Sequence, residues 1–130
     1  MNLKKSLRFT LLPASYAIAK CDKNLASAWP VSMANLLACI IEADCISYIA
    51  QQYSPLLVGC ENSNNWRALK IDAVLDFSQS GVLLEALTPL AAANISVLVV
   101  SSFDTDYILV QQLSAQEALR VAGHQFTDDN

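Results

Sequence analysis

Apolar and polar positions alternate in short blocks along this chain, and the pattern is clearest in the second half. Residues 66–73 (WRALKIDA) read as a strand, with Trp66 and Ala68 set against Arg67 and Lys70. Asp76-Phe77-Ser78 then turns the chain, and Asp76 or Ser78 is placed to cap a helix over about residues 79–92. Val82, Leu83, Ala86, Leu87, Leu90 and Ala91 recur at helical spacing. Pro89 inside that run marks a kink or an early break near Thr88. Residues 95–100 and 107–111 are strands joined by a hairpin-sized connection. Ser114 with Glu117 three residues later is a capping-box pattern for a last helix, ending near Gly123.

The first half is less regular. Residues 7–12 form a strand-like run closed by Pro13, and residues 16–20 form a second. Residues 21–33 are polar and irregular, with Trp29-Pro30 inside them, and read as a loop. Residues 36–41 have strand length. Residues 44–52 fit a short helix, with Asp44 as N-cap and Ile46, Ile49 and Ala50 on one face. Residues 56–60 are a further strand candidate, and the polar stretch 61–65 (ENSNN) is the best internal boundary.

The second half therefore reads β-α-β-β-α, one strand short of the ferredoxin-like βαββαβ unit. A short strand at residues 124–126 fills the missing slot, or another part of the fold does. The first half repeats the scheme with its first helix reduced to a loop. The expected fold class is α+β, with two ferredoxin-like units and antiparallel sheets. The units span residues 1–65, the degenerate one, and residues 66–130.

Composition narrows the function. Of 130 residues, 54% are hydrophobic and 15% charged, which excludes disorder and predicts a real core. A mean hydropathy of +0.35 leaves apolar surface to spare, and such surplus goes into subunit interfaces. Self-association as a homodimer or higher homo-oligomer is expected. A net charge of −4, with Lys4, Lys5 and Arg8 as the one cationic cluster, argues against nucleic acid. No membrane span is expected, since the most apolar window, residues 82–100, is broken by Glu85, Pro89 and Asn94. The first twenty residues carry a basic start, an apolar stretch and an A-x-A at residues 17–19, as secretory signals do. Arg8, Pro13, Tyr16 and the strand-like alternation argue against that reading.

Candidate chemistry is sparse. No nucleophile elbow, zinc-protease or P-loop motif occurs. The single histidine, His124, has no partner that sequence can place. Cys21, Cys39, Cys45 and Cys60 form no C-x-x-C pair and read as four free thiols in a reducing, cytoplasmic setting. No catalytic residue, metal or cofactor is expected. Two segments remain. The strand-to-helix turn from Asp76 to Gly81 is a helix start, whose unpaired N–H groups receive an anion as readily as a capping side chain. The stretch SSFDTDYILV (residues 101–110) sets Ser102, Phe103, Asp104 and Asp106 between two apolar runs. It reads as a polar hairpin or as an acceptor for an ammonium or guanidinium group, with about 1.5–3 kcal/mol per charge-assisted hydrogen bond.

The same residues carry a resemblance. Trp66 to Ile71 matches a W-R-x-L-x-[IV] strand, Leu75 to Gly81 an L-D-F-S-x-x-G turn, and Asn94 to Val97 a G-I-S-[IV] segment. Ser101 to Val110 matches S-[TS]-[FY]-D-T-D-Y-[IL]-L-V. This resembles the second domain of small bacterial tandem ACT-domain proteins, the branch similar to the CASTOR-type amino-acid sensors. Residues 7–20 open as that family's first half does, which places them in the fold. Asn94 stands where glycine is usual, and Ser102 where threonine is common. The resemblance implies a regulatory protein without catalytic activity that binds a small molecule, an amino acid above all, and acts through oligomer state or an unidentified protein partner. It implies a site lined by Asp76, Phe77, Ser78 and Gly81 on one side and Ser102, Phe103, Asp104 and Asp106 on the other. The backbone near Gly81 would receive a carboxylate, Asp106 first and Asp104 beside it a cation, and Phe103 would form a wall. The alternative is a ligand-free structural or partner-docking module; a small enzyme is a third and weaker reading.

Overall fold

The computed structural model describes residues 8–22, 36–72, 81–121 and 125–128. Its elements are β1 (Arg8–Asp22), β2 (Leu36–Ile41), β3 (Cys45–Gln51), β4 (Glu61–Ile71), α1 (Val82–Ala92), β5 (Val97–Ser101), β6 (Asp106–Gln111), α2 (Ala115–Val121) and β7 (Gln125–Asp128). Short 3-10 turns occupy Pro55–Leu57 and Gln112–Ser114. The fold is α+β. The β1–β3, β2–β3 and β5–β6 pairs are antiparallel, while β7 joins β1 in parallel.

Two compact units emerge: Met1–Pro13 with Arg67–Asn130, and Ala14–Trp66. The strands β1 and β4 each give one part to one unit and the remainder to the other. In the larger unit the strand order is β7-β1-β4-β6-β5. The first residues of β1 thus take the place beside β4 that sequence left open, and β7 adds on outside them. Phe9, Leu11, Leu69, Ile71, Ile108 and Val110 from the strands form one core with Ala86 and Leu90 of α1 and Ala118 and Leu119 of α2. In α1, Pro89 neither breaks nor ends the helix, which runs on to Ala92. The helix closes on Asn94 in the left-handed region (φ 60°), with Ile95 N–H donating to Leu90 C=O at 3.0 Å and Asn94 N–H to Ala91 C=O at 3.0 Å. That is the Schellman geometry, and it explains why glycine suits this position and asparagine is accepted.

The smaller unit is built on β2-β3-β1, with Tyr16 opposite Gln51 through Asp22 opposite Cys45. Ala17, Ala19, Cys21, Ile46, Tyr48, Ala50 and Leu57 form its core.

Several expectations are corrected. Residues 44–52 form strand β3, not a helix: Ile46, Tyr48 and Ala50 are buried while their neighbours are half-buried, a period of two. Residues 56–60 are not a strand; Pro55 opens a 3-10 turn capped by Ser54, whose hydroxyl accepts from Leu56 N–H at 3.3 Å. Pro13 does not end a strand, because β1 runs through it. Arg8–Leu11 pairs with β7 and Tyr16–Asp22 with β3, so Pro13 falls between these two ladders and its missing N–H interrupts neither of them. The polar residues 61–65, expected as an internal boundary, are the exposed beginning of β4, and the compact units divide within that strand, after Trp66. Glu117 makes no capping box; its carboxylate accepts from the Arg120 guanidinium. Gly123 lies outside the described residues. The four cysteines are not all free: Cys21 and Cys60 form a disulfide, and Cys39 and Cys45 are the free thiols. A sequence separation of 39 concealed a Cα–Cα distance of 4.7 Å, within the range a bridge requires, about 4.4–6.8 Å.

Candidate functional site

The hairpin between β5 and β6 is closed by its own polar residues. Ser102 N–H donates to Thr105 C=O at 2.8 Å, and Thr105 N–H donates to Ser102 Oγ at 3.2 Å. Ser102 Oγ also donates to Thr105 C=O at 3.0 Å. The turn reading of this stretch is therefore correct, with serine and threonine rather than the aspartates making these bonds. Thr105 is buried at 5% exposure and sends its hydroxyl to Ile71 C=O at 2.8 Å. This bond adds to the pairing of β6 with β4 in tying the hairpin to the end of β4.

A cleft of about 430 Å³ opens where those two segments meet. Lys70, Ile71 and Asp72 line it from β4 and the residue after it; Ser102, Asp104, Thr105 and Tyr107 line it from the hairpin. The Asp72 backbone N–H donates to Arg8 C=O at 2.7 Å, and its carboxylate accepts from the Thr10 hydroxyl at 2.7 Å. Asp72 is thus oriented by β1, while Asp104 is exposed at the tip of the hairpin. The cleft presents one cationic and two anionic side chains within one small volume.

Of the residues singled out from sequence, Ser102 and Asp104 line this cleft. Asp106 is half-buried on β6, paired opposite Ser101, and Phe103 is 80% exposed; neither is among the lining residues. Gly81 caps α1, its carbonyl accepting from Glu85 N–H at 3.0 Å. A side chain at this position would meet nothing within 4 Å among the described residues, so no close packing with them calls for a glycine here. Asp76, Phe77 and Ser78 lie outside the described residues. Sequence reading missed Lys70, Asp72, Thr105 and Tyr107. The signal for the first two was a lysine and an aspartate flanking Ile71 at the end of a strand.

A second cavity of about 610 Å³ lies in the smaller unit, lined by Lys20, Asp22, Glu42, Asp44, Cys45 and Glu61, with Ala43 and Gly59. Among the described residues, no group of three or more His, Cys, Asp or Glu is arranged to hold a metal ion. Nor is any described helix long and apolar enough to cross a membrane.

Residues 61–121 match the family model of the ACT domain. In structure the chain is similar to a protein from Agobacterium tumefaciens, with a TM-score of 0.79 and 23% identity over 96% of this chain and 95% of that one. It is similar to a protein of unknown function from Vibrio cholerae, a possible transport protein, with a TM-score of 0.71 and 24% identity over 91% and 88%. It also resembles the regulatory subunit of aspartate kinase from Thermus thermophilus in its ligand-free form, with a TM-score of 0.60 and 13% identity over 83% and 90%. At these identities the likenesses establish the fold. No curated protein matches the chain significantly.

Proposed function

We propose that this chain is a regulatory protein that binds a free amino acid in the cleft between the end of β4 and the β5–β6 hairpin, and that it catalyses nothing. The observation that carries this reading is the charge content of the cleft: Lys70, Asp72 and Asp104 line one small volume, inside the segment that matches the ACT domain. An amino acid carries a carboxylate for Lys70 and an ammonium for Asp104. Asp72, already held by Thr10, serves to shape the field. Likeness to the regulatory subunit of an aspartate kinase supports the regulatory part of the reading. The CASTOR-type branch and a cytoplasmic location belong to the proposal as well.

We take the chain as two ACT-like units, residues 1–65 and 66–130, the first degenerate, with the start of β1 grouped with the second unit and the start of β4 with the first. In a ferredoxin-like sheet the last strand lies beside the first. Here the first residues of β1 would fill that place beside β4, and the first residues of β4 the matching place beside β1. Asp76, Phe77, Ser78, Gly81, Phe103 and Asp106 remain candidates for a site completed by further contacts, including those of a second copy.

The test is calorimetry against a panel of the free amino acids, with Lys70→Gln and Asp104→Asn beside the unaltered protein. Each substitution should weaken binding by roughly 10- to 100-fold, the worth of one charge-assisted hydrogen bond. No binding across the panel would discard the reading in favour of a ligand-free oligomerisation module. The exposed apolar edge strands favour that second reading: Ile40 and Ile41 on β2 are 57% and 56% exposed, and Leu98 and Val99 on β5 are 38% and 37%.

A further inference from the structure

The residues flanking the Cys21–Cys60 disulfide are also walls of the cavity in the smaller unit. Lys20 and Asp22 stand on either side of Cys21, and Gly59 and Glu61 on either side of Cys60; all four line the cavity. The bridge ties the segment before β4 to β1, with 4.7 Å between the Cα atoms at its ends, beside strands that are neighbours in the sheet. Its two sulfurs are in different surroundings. Cys21 is 3% exposed in the core with Ile46 and Tyr48, on a strand paired with β3 from Tyr16 to Asp22. Cys60 is half-buried, between exposed Val58 and Gly59 on one side and exposed Glu61 on the other. Gly59 adopts φ 80°, and open space surrounds its α-carbon. Cys60 is thus the more exposed of the two bridged residues, next to a glycine whose side-chain position is open.

From this asymmetry we propose that the Cys21–Cys60 disulfide is a reversible redox latch on the cavity wall, opened by a dithiol reductant attacking Cys60. A thiolate of the reductant bonds to Cys60 Sγ, the protein S–S bond breaks, and Cys21 leaves as a thiolate that takes up a proton. The reductant's second thiol, as its thiolate, then attacks its own bridging sulfur and releases Cys60. The sum is one protein disulfide and one dithiol converted to two protein thiols and the reductant's disulfide. Reduced Cys21 remains a small apolar side chain in the core, so β1 keeps its place on β3. The segment at Val58–Cys60 is released and Gly59 moves away from Lys20 and Asp22, while Glu61 stays on β4, the neighbour of β1 in the sheet. A protein in a reducing compartment uses a disulfide in this way, as a transient link rather than a permanent staple.

The test uses the full chain, oxidised with diamide and then treated with dithiothreitol under native conditions. Alkylation in denaturant followed by mass spectrometry should count two labelled cysteines before reduction, Cys39 and Cys45, and four after it. Hydrogen exchange should show the amides of residues 58–60 exchanging about tenfold faster or more after reduction, with the amides of residues 16–22 unchanged. The double variant Cys21→Ala with Cys60→Ser should reproduce the reduced pattern without reductant. Four labelled cysteines after diamide would mean that no bridge forms and would overturn the proposal. So would a bridge that resists native dithiothreitol, or a loss of protection across residues 16–22 on reduction, since either makes the disulfide a staple of the fold.

Discussion

The Thr105 hydroxyl donates to the Ile71 carbonyl at 2.8 Å, in a buried position, and joins residues 34 apart in sequence. The contact joins the two walls of the cleft, since Ile71 lines it on one side and Thr105 on the other. Thr105→Val keeps the shape and removes the donor, leaving a buried carbonyl unsatisfied. It should cost about 1–3 kcal/mol. Thr105→Ser, which keeps the hydroxyl, should recover most of that. Urea unfolding of both variants checks it; equal midpoints for the valine and serine forms would show that the bond contributes nothing. Amino-acid affinity should fall in the valine variant as well, since the hairpin wall loses this tie.

Asn94 occupies the left-handed position that ends α1, with φ 60°. Asn94→Gly should be neutral or slightly stabilising, because glycine reaches this region without a Cβ penalty. Asn94→Ala should destabilise by about 1 kcal/mol, since alanine lacks the local hydrogen bonding that lets asparagine visit it. Thermal melts of the three proteins give the order directly. An alanine variant as stable as the glycine variant would contradict the Schellman reading.

What sequence disclosed and what it concealed follow from the range of the interactions involved. The second half was legible because α1 and the β5–β6 hairpin are set by local patterns, the helical spacing of Ala86 and Leu90 and the polar turn after Ser101. Strand β3 was misread because Ile46, Ile49 and Ala50 satisfy a helical period as well as an alternating one. Only the pairing with β1 and β2 on both sides decides between them. Two of the seven residues lining the cleft were legible, as Ser102 and Asp104 advertise themselves in one motif. Lys70 and Asp72 did not, because the Thr105–Ile71 contact that joins the two walls is non-local. The disulfide escaped notice for the same reason: spacing alone says nothing about which cysteine faces which.

Strand β5 ends the strand order of the larger unit and carries Val97, Leu98, Val99 and Val100 without a charge, a proline or a bulge. Such an edge is a template for another strand. If the protein self-associates through it, Val99→Lys should convert the oligomer to monomer, and sedimentation velocity across a concentration series reads the change. The substitution sits on a residue already 37% exposed, so the monomer should keep its fold, seen as an unchanged circular dichroism spectrum. A lysine variant with the oligomeric state of the parent would move the interface elsewhere, with Ile40 and Ile41 on β2 the next place to look.

Cys39 on β2 stands opposite Tyr48 on β3, and burial raises the pKa of both groups above their ordinary values of 9.0 and 10.0. A thiolate at Cys39 raises Tyr48 further by charge repulsion. The sign of the pH effect follows. Above about pH 9 the unfolded chain gives up the Cys39 proton while the folded chain still holds it, so the unfolded state binds fewer protons and stability falls as pH rises. The loss continues until the folded thiol also ionises, and Tyr48 adds to it at higher pH. Cys39→Ala removes the first contribution. Its urea midpoint should therefore decline less steeply than that of the parent between neutral pH and about pH 10.5, with readings taken before thiol–disulfide exchange sets in. Parallel declines would mean that the Cys39 thiol ionises alike in the folded and unfolded chains, and that the β2–β3 pair does not shield it from water.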